Sequence, residues 1–167
     1  MARLPPICTG NVYQPSTAWP ATDNRVPVTA VDWCDAYTYC KYAGKHLCGR
    51  IGGGTNPPGS YADASQSEWF SACSGQGVSN YPYGGNTYMP TICNGGGNGG
   101  YSNLQIKRES PVPPATGIPD FPTCNGSVAT LYHMSGNVSE WEDSCDASMN
   151  CRVRGGAVNA TSGDQLS

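Results

Sequence analysis

Nine cysteines in a chain of 167 residues constrain the fold more than any other feature of this sequence. Cytosolic proteins rarely keep so many, because reduced thiols bring reactivity without cross-links. Zinc, the competing use, usually takes close pairs such as C-x2-C, and no pair here has that form. We therefore expect disulfides and a secreted or cell-surface location. The cysteines are Cys8, Cys34, Cys40, Cys48, Cys73, Cys93, Cys124, Cys145 and Cys151.

The odd number of cysteines leaves at least one without a partner inside the chain. Spacing makes Cys145/Cys151 and Cys34/Cys48 plausible local bridges. Connectivity stays open at this point, since cysteine spacing alone does not determine pairing.

Charge and hydropathy exclude two classes of partner. The formal net charge is -3, only 13% of residues are charged, and no basic run is present that could follow a phosphate backbone. No apolar stretch approaches the roughly 20 residues that a membrane-spanning helix needs. We expect neither a nucleic-acid partner nor a membrane span.

Two helices are predicted between loops rich in glycine and proline. The first covers 32–43, with Asp32 as its cap, Asp35 in its first turn and Gly44 at its end. Residues 33, 36, 37, 40 and 43 follow helical spacing and predict one buried stripe. The second helix covers 65–73, where Ser65 and Glu68 have the spacing of a capping box. Two helices, short strands and much irregular structure indicate an α+β domain.

Five segments occur in an order that resembles one family. They are PVTAVDWCDAYTYCKYAGKHL (27–47), SEWFSACSGQG (67–77), YPYG (81–84), LYHMSGNVSEW (131–141) and RVRGG (152–156). Together they resemble the formylglycine-generating enzymes, also called sulfatase-modifying factors. The cysteine-rich pattern is most similar to secreted bacterial members.

The resemblance implies a C-type-lectin-like α+β fold for a single domain over 1–167. It does not fix the function, because the family contains oxidases, sulfoxide synthases, domains fused to kinases and ligand-binding proteins.

The oxidases of the family hold copper through two cysteines that follow the R-G-G strand. The matching positions here are Ala160 and Gln165. Neither side chain supplies the thiolate that Cu(I) requires, so we expect no copper and no formylglycine generation. The sulfoxide synthases use histidines for iron, and this chain has only His46 and His133, far apart in sequence. We expect His46 to be a solvated side chain.

Calcium is the metal that the resemblance favours. In the family, a turn matching 133–141 holds calcium through a side chain, two carbonyls and a glutamate. Carried over, the ligands are the carbonyls of Gly136 and Val138 and the carboxylate of Glu140, with Asn94 in a second site. Calcium accepts carbonyl and carboxylate oxygens, but His133 stands where the family has Asp or Asn. The alternative is that Glu140 satisfies the backbone of its own turn.

Family members continue past the R-G-G strand to a further core strand. We expect that this C-terminal strand is missing, truncated or supplied by another chain. The resemblance implies that the partners of Cys40 and Cys73 lie in that segment.

The leading hypothesis is a non-catalytic, extracytoplasmic binding or structural module. Four tyrosines could form a ligand surface for a glycan or a protein: Tyr81, Tyr83, Tyr88 and Tyr101. Ordinary loop packing is their alternative role. Two rival functions remain, a metal-dependent oxidoreductase of the same superfamily and a self-associating subunit of an extracellular filament or surface assembly.

Overall fold

The computed structural model describes residues 4–16, 27–89, 92–95, 124–125, 128, 131–157 and 160. Two helices and one antiparallel hairpin make up its regular structure, together with short 3₁₀ turns at Pro6–Cys8 and Pro58–Ser60. The helices are α1, Trp33–Tyr42, and α2, Glu68–Ser74. The strands are β1, Glu140–Cys145, and β2, Cys151–Arg154. The molecule is thus an α+β domain, as the sequence predicts.

Helix α1 begins with the predicted cap. The Asp32 side chain accepts a hydrogen bond from the Asp35 backbone, and the Asp35 side chain accepts one from the Asp32 backbone. This reciprocal capping box satisfies two backbone donors that the helix itself leaves unpaired. Trp33 is buried and Ala36, Tyr37 and Cys40 pack beside it. Ala43, predicted to belong to the buried stripe, is exposed because it lies beyond the last turn of the helix.

Helix α2 starts later than the sequence predicts. Its cap is Ser67, whose hydroxyl accepts from the Phe70 backbone, so the Ser65/Glu68 capping box is wrong. Ser65 instead donates its hydroxyl to Asp63 within the preceding turn. Gly75 ends the helix in the left-handed conformation that glycine adopts at little cost.

Three disulfides join segments that carry little secondary structure. They are Cys8–Cys34, Cys93–Cys124 and Cys145–Cys151. The local bridge Cys145–Cys151 is confirmed, and it closes the β1–β2 hairpin at the register pair Cys145 opposite Cys151. The proposed Cys34–Cys48 bridge is wrong, because Cys34 reaches the N-terminal segment at Cys8 instead.

The buried apolar residues form several small clusters rather than one large core. One joins Trp33 and Leu47 to the Cys8–Cys34 bridge, and a second contains Trp69, Cys73 and Met134. The hairpin lies across both: Trp141 packs on the first cluster, and the Trp33 indole donates to the Glu142 carbonyl oxygen at 2.9 Å. The hairpin therefore holds the two helices together.

Candidate functional site

The turn before β1, residues 133–139, is tied by hydrogen bonds to two distant segments of the chain. The Gly136 backbone donates to the Gly155 carbonyl at 2.7 Å, and the Asn137 backbone donates to the Asn94 carbonyl at 2.7 Å. The side-chain amide of Asn94 donates to the Asn137 side-chain oxygen at 3.3 Å. The structure thus brings Asn94 against Gly136, although the sequence placed them in separate metal sites.

Glycine is required at both ends of the hydrogen bond between Gly136 and Gly155. Gly136 has φ +77°, and a Cβ there would lie 2.5 Å from the Asn94 carbonyl oxygen. Gly155 has φ +79°, and a Cβ there would collide with the Glu140 carboxylate and the Met134 carbonyl. The carboxylate of Glu140 therefore lies over Gly155, which is hydrogen-bonded to Gly136.

The Glu140 carboxylate is enclosed by protein. Its Oε2 atom has no hydrogen-bond partner among the described residues. Burial raises the pKa of Glu140 well above its ordinary value, while a hydrogen bond from its own backbone, then Trp69 and the Arg154 guanidinium, oppose that shift. An unpaired carboxylate oxygen of this kind suits a cation that prefers oxygen ligands, such as calcium. The position predicted as its fourth ligand is occupied by His133, whose imidazole offers no oxygen.

The inner face of the hairpin carries a second buried carboxylate that sequence reasoning missed. Glu142 has 0% of its surface exposed, and its Oε1 accepts from Asn56 Nδ2 at 3.0 Å and from Ser67 Oγ at 2.9 Å. Arg152 Nε lies 3.7 Å from the other carboxylate oxygen. The sequence signal for this buried carboxylate was the alternation of Glu140, Glu142 and Ser144 along β1, since alternate residues of a strand share one face.

Arg154, the last residue of β2, lies on the same face of the hairpin. It is buried opposite Glu140 in the ladder, with its guanidinium 4.3 Å from the ring centre of Trp69. It also donates to the Tyr61 carbonyl at 3.1 Å. These polar contacts fix the hairpin on α2 and on the loop at 56–61.

The tyrosines predicted as a ligand surface pack largely on one another. Tyr81 is only 7% exposed and stacks on Tyr83, with ring centres 5.2 Å apart. The Tyr83 hydroxyl accepts from the Met89 backbone at 3.1 Å, and Tyr88 lies tilted against Tyr81. The ring of Tyr81 is therefore not available to a ligand, whereas Tyr83 and Tyr88 stay partly exposed. Tyr101 lies outside the described residues.

Ala160, which the resemblance matches to an oxidase copper position, belongs to this tyrosine cluster. It is 5% exposed and packs with Tyr81. The other position, Gln165, lies outside the described residues.

Cys40, Cys48 and Cys73 are free thiols. Burial is the main reason that the pKa of all three thiols is raised. The pKa reaches about 11 for Cys48 and about 12 for Cys73. Cys73 is buried, and the carboxylates of Glu68, Glu142 and Glu140 add to the shift at Cys48. Because the thiolate is the nucleophile and the metal ligand, these side chains are poorly suited to either role at neutral pH.

His46 is exposed, as predicted, but it also contacts α2. Its Nε2 atom lies 3.0 Å from Glu68 Oε2, which accepts from the Gly49 backbone at 2.8 Å. No group of three or more His, Cys, Asp or Glu side chains is placed to hold a metal within the described residues. Nor does that part of the chain contain a helix that is long and apolar enough to cross a membrane.

The structure is thus a disulfide-rich α+β domain. Its β1–β2 hairpin and the turn at 133–139, which we call the signature turn, form one buried polar unit. The family of the sulfatase-modifying factor enzyme 1-like domain matches this chain over residues 9–165. The chain belongs to that family. Comparisons with curated proteins and with solved structures gave no significant match.

Proposed function

We propose that this chain is a non-catalytic, extracytoplasmic member of its family, with a C-type-lectin-like fold that serves as a binding or structural module. Three disulfides support an oxidising location. Two helices and a short hairpin, set among long irregular segments, support the lectin-like assignment.

The observation that carries the proposal is the environment of Ala160. An oxidase of this family needs a thiolate at that position, with access for the substrate thiol. Here a methyl group is packed with Tyr81 and only 5% exposed. The position is thus both chemically inert and covered.

The remaining thiols support the same conclusion. Cys40 packs against the cluster of Trp33 and Leu47, whereas Cys48 and Cys73 share the cluster of Trp69. Burial raises the pKa of all three thiols, to about 11 for Cys48 and about 12 for Cys73. A copper pair needs two deprotonated thiols, and the two that share a cluster are held in the protonated form at neutral pH.

Copper retention and thiol turnover test the proposal together. The oxidised protein is mixed with Cu(I) and a competing chelator, and oxygen uptake is followed with a cysteine-containing peptide. We expect no stoichiometric copper and no turnover. Stoichiometric copper or iron with peptide oxidation would support the oxidoreductase alternative instead. The A160C/Q165C variant serves as a comparison, since it restores thiols at both positions.

A calcium site at the signature turn is a second proposal, carried by the unpartnered Glu140 oxygen. Glu140 would hold the ion together with the carbonyls of Gly136 and Val138, and calcium would add its positive charge to that of the Arg154 guanidinium beside this carboxylate. With His133 in place of an acidic or amide residue, we expect weak binding. Calcium is a structural ligand in this proposal, not a catalyst.

Thermal unfolding in EDTA and in calcium tests the site, because a ligand that binds only the folded state raises its stability. Calcium should raise the midpoint of the wild type and leave that of E140Q unchanged. In EDTA, E140Q should be at least as stable as the wild type, since it removes a buried charge. D63N changes a half-buried carboxylate outside this turn and is the matched control. Equal calcium responses in the wild type and E140Q would refute the site.

Self-association is favoured by one feature of the surface. Tyr39 and Tyr42 on α1 are 72% and 90% exposed, which is unusual for aromatic side chains of this size. Light scattering during size exclusion separates an assembly subunit from a monomeric module. The Y39S/Y42S variant should remove any association that uses this face, and unchanged association would exclude the face.

A further inference from the structure

A groove at the start of α1 lies apart from the signature turn and from the tyrosine cluster. Its volume is about 650 Å³, within the range of small-ligand sites. Two chain segments form its walls, residues 10–16 and 30–35, and Trp141 of β1 contributes an aromatic surface. Ser16 fastens the two walls, since its backbone and hydroxyl both donate to the Ala30 carbonyl, at 2.8 and 3.1 Å.

The charged side chains that line the groove are both carboxylates. Asp32 is exposed and Asp35 is half-buried, and no basic side chain pairs with either one in the described part of the chain. The α1 terminus contributes only about half a positive charge. Two carboxylates exceed it, so the described lining of the groove is negative.

The side-chain donors beside the two carboxylates are already used. The Asn11 amide donates to one oxygen of Asp32 at 3.2 Å and to one of Asp35 at 3.3 Å. The Trp141 indole donates to a backbone carbonyl at 3.1 Å. Among the described residues, no hydrogen bond is made to Asp32 Oδ2. A ligand that reaches this oxygen must bring a donor, and Gln14 supplies the further side-chain amide of the lining.

We propose that the groove binds an alkylammonium or guanidinium group, with its charge at Asp32 and Asp35 and its carbon chain against Trp141. Such a group supplies several N–H donors and a positive charge, and aromatic faces attract cations. A neutral sugar would instead need donors from the protein as well as acceptors. The inference deepens the proposed role as a binding module and rests on it. The group can belong to a free amine or to a lysine or arginine side chain of a peptide.

Nuclear magnetic resonance of the oxidised protein tests the groove directly. The probes are butylammonium and butylguanidinium, with butanol and methyl glucoside as neutral comparisons. We expect the cations to shift the Trp141 indole and Asn11 amide signals saturably, and more weakly in high salt. No saturable shift, an equal response to a neutral probe, or calcium acting in place of the organic cations would overturn the proposal.

A charge-removing variant supplies the second readout. In D32N/D35N the side-chain oxygen at position 32 can still cap α1, because asparagine is as good an N-cap as aspartate, while position 35 keeps one of its two acceptor oxygens. We expect at least tenfold weaker cation binding in this variant and unchanged binding in D146N, which alters an exposed carboxylate elsewhere. Unchanged affinity in D32N/D35N would overturn the proposal. If that variant does not fold, the titration of the wild-type protein with the charged and neutral probes decides.

A third arm identifies the source of the cation. An acetylated, amidated Gly-Lys-Gly peptide that binds more tightly than butylammonium supports a protein ligand, whereas equal affinity supports a free amine. Failure of all cations would leave the non-catalytic proposal intact, since copper retention and turnover judge it separately.

Discussion

The side chain of Glu142 contacts three separate parts of the fold. It receives hydrogen bonds from Asn56 and Ser67 and lies near Arg152, so it connects the loop at 56, the cap of α2 and β2. Removing one partner of such a buried set leaves the others unsatisfied.

E142A should therefore lose about 3–5 kcal/mol of unfolding free energy, the usual cost of breaking a buried charged pair. E142Q keeps the shape and an acceptor oxygen and should lose clearly less. Urea denaturation measures both. If E142A is as stable as the wild type, the network does not contribute to stability.

Gly136 gives a second test at this scale. In G136A the new methyl group would meet the Asn94 carbonyl, and the positive φ adds about 1–2 kcal/mol of strain. G84A has a similar φ of +82° with open space around it and should show the strain alone. Thermal unfolding should thus rank G136A well below G84A. Equal losses would mean that the close approach to Asn94 is unimportant.

Tyr81 and Glu142 show where the sequence alone is a poor guide to burial. Tyr81 carries a hydroxyl that suits the surface, yet its ring is buried by stacking on Tyr83 and packing with Ala160. Glu142 is acidic, so composition alone suggests exposure, and only its hydrogen-bond donors from distant segments make burial possible. Contacts between segments far apart in sequence leave no local signal.

At the scale of elements, the start of α1 was predictable because its cap is local. Asp32 and Asp35 are three residues apart and satisfy each other's backbone. The start of α2 was not, because Asp63 takes the hydroxyl of Ser65 and leaves Ser67 as the cap. Competing side-chain acceptors decide such boundaries.

D32A should destabilise the protein by about 1 kcal/mol, the usual worth of a helix cap, whereas D32N should keep most of it. Chemical denaturation of the two variants measures the difference. Equal loss in D32A and D32N would mean that the charge, and not the capping geometry, is what matters at this position.

At the scale of the whole molecule, disulfides and small clusters take the place of one continuous core. The sequence predicted the dependence on disulfides and the local hairpin bridge. It could not predict Cys8–Cys34, because that pairing depends on how the N-terminal segment lies on α1.

The buried thiols make stability fall at alkaline pH. Their pKa values are raised in the folded state, to about 11 for Cys48 and about 12 for Cys73, so the unfolded chain loses these protons first. Stability is retained below about pH 9 and decreases between pH 9 and 11, by up to about 1.4 kcal/mol per pH unit for each thiol. The C48S variant should show a shallower decrease in unfolding experiments. An identical pH profile would contradict the burial of this thiol.

The central claim is that all nine cysteines are structural, and a disulfide map with timed alkylation tests it most directly. Mass spectrometry of the native protein at pH 7.5 should find Cys8–Cys34, Cys93–Cys124 and Cys145–Cys151 bridged. Cys40, Cys48 and Cys73 should be thiols, with Cys48 and Cys73 reacting far more slowly than in denatured protein. A different pairing, or a thiol at Cys48 or Cys73 that reacts in the folded state as fast as a free cysteine, would contradict the account.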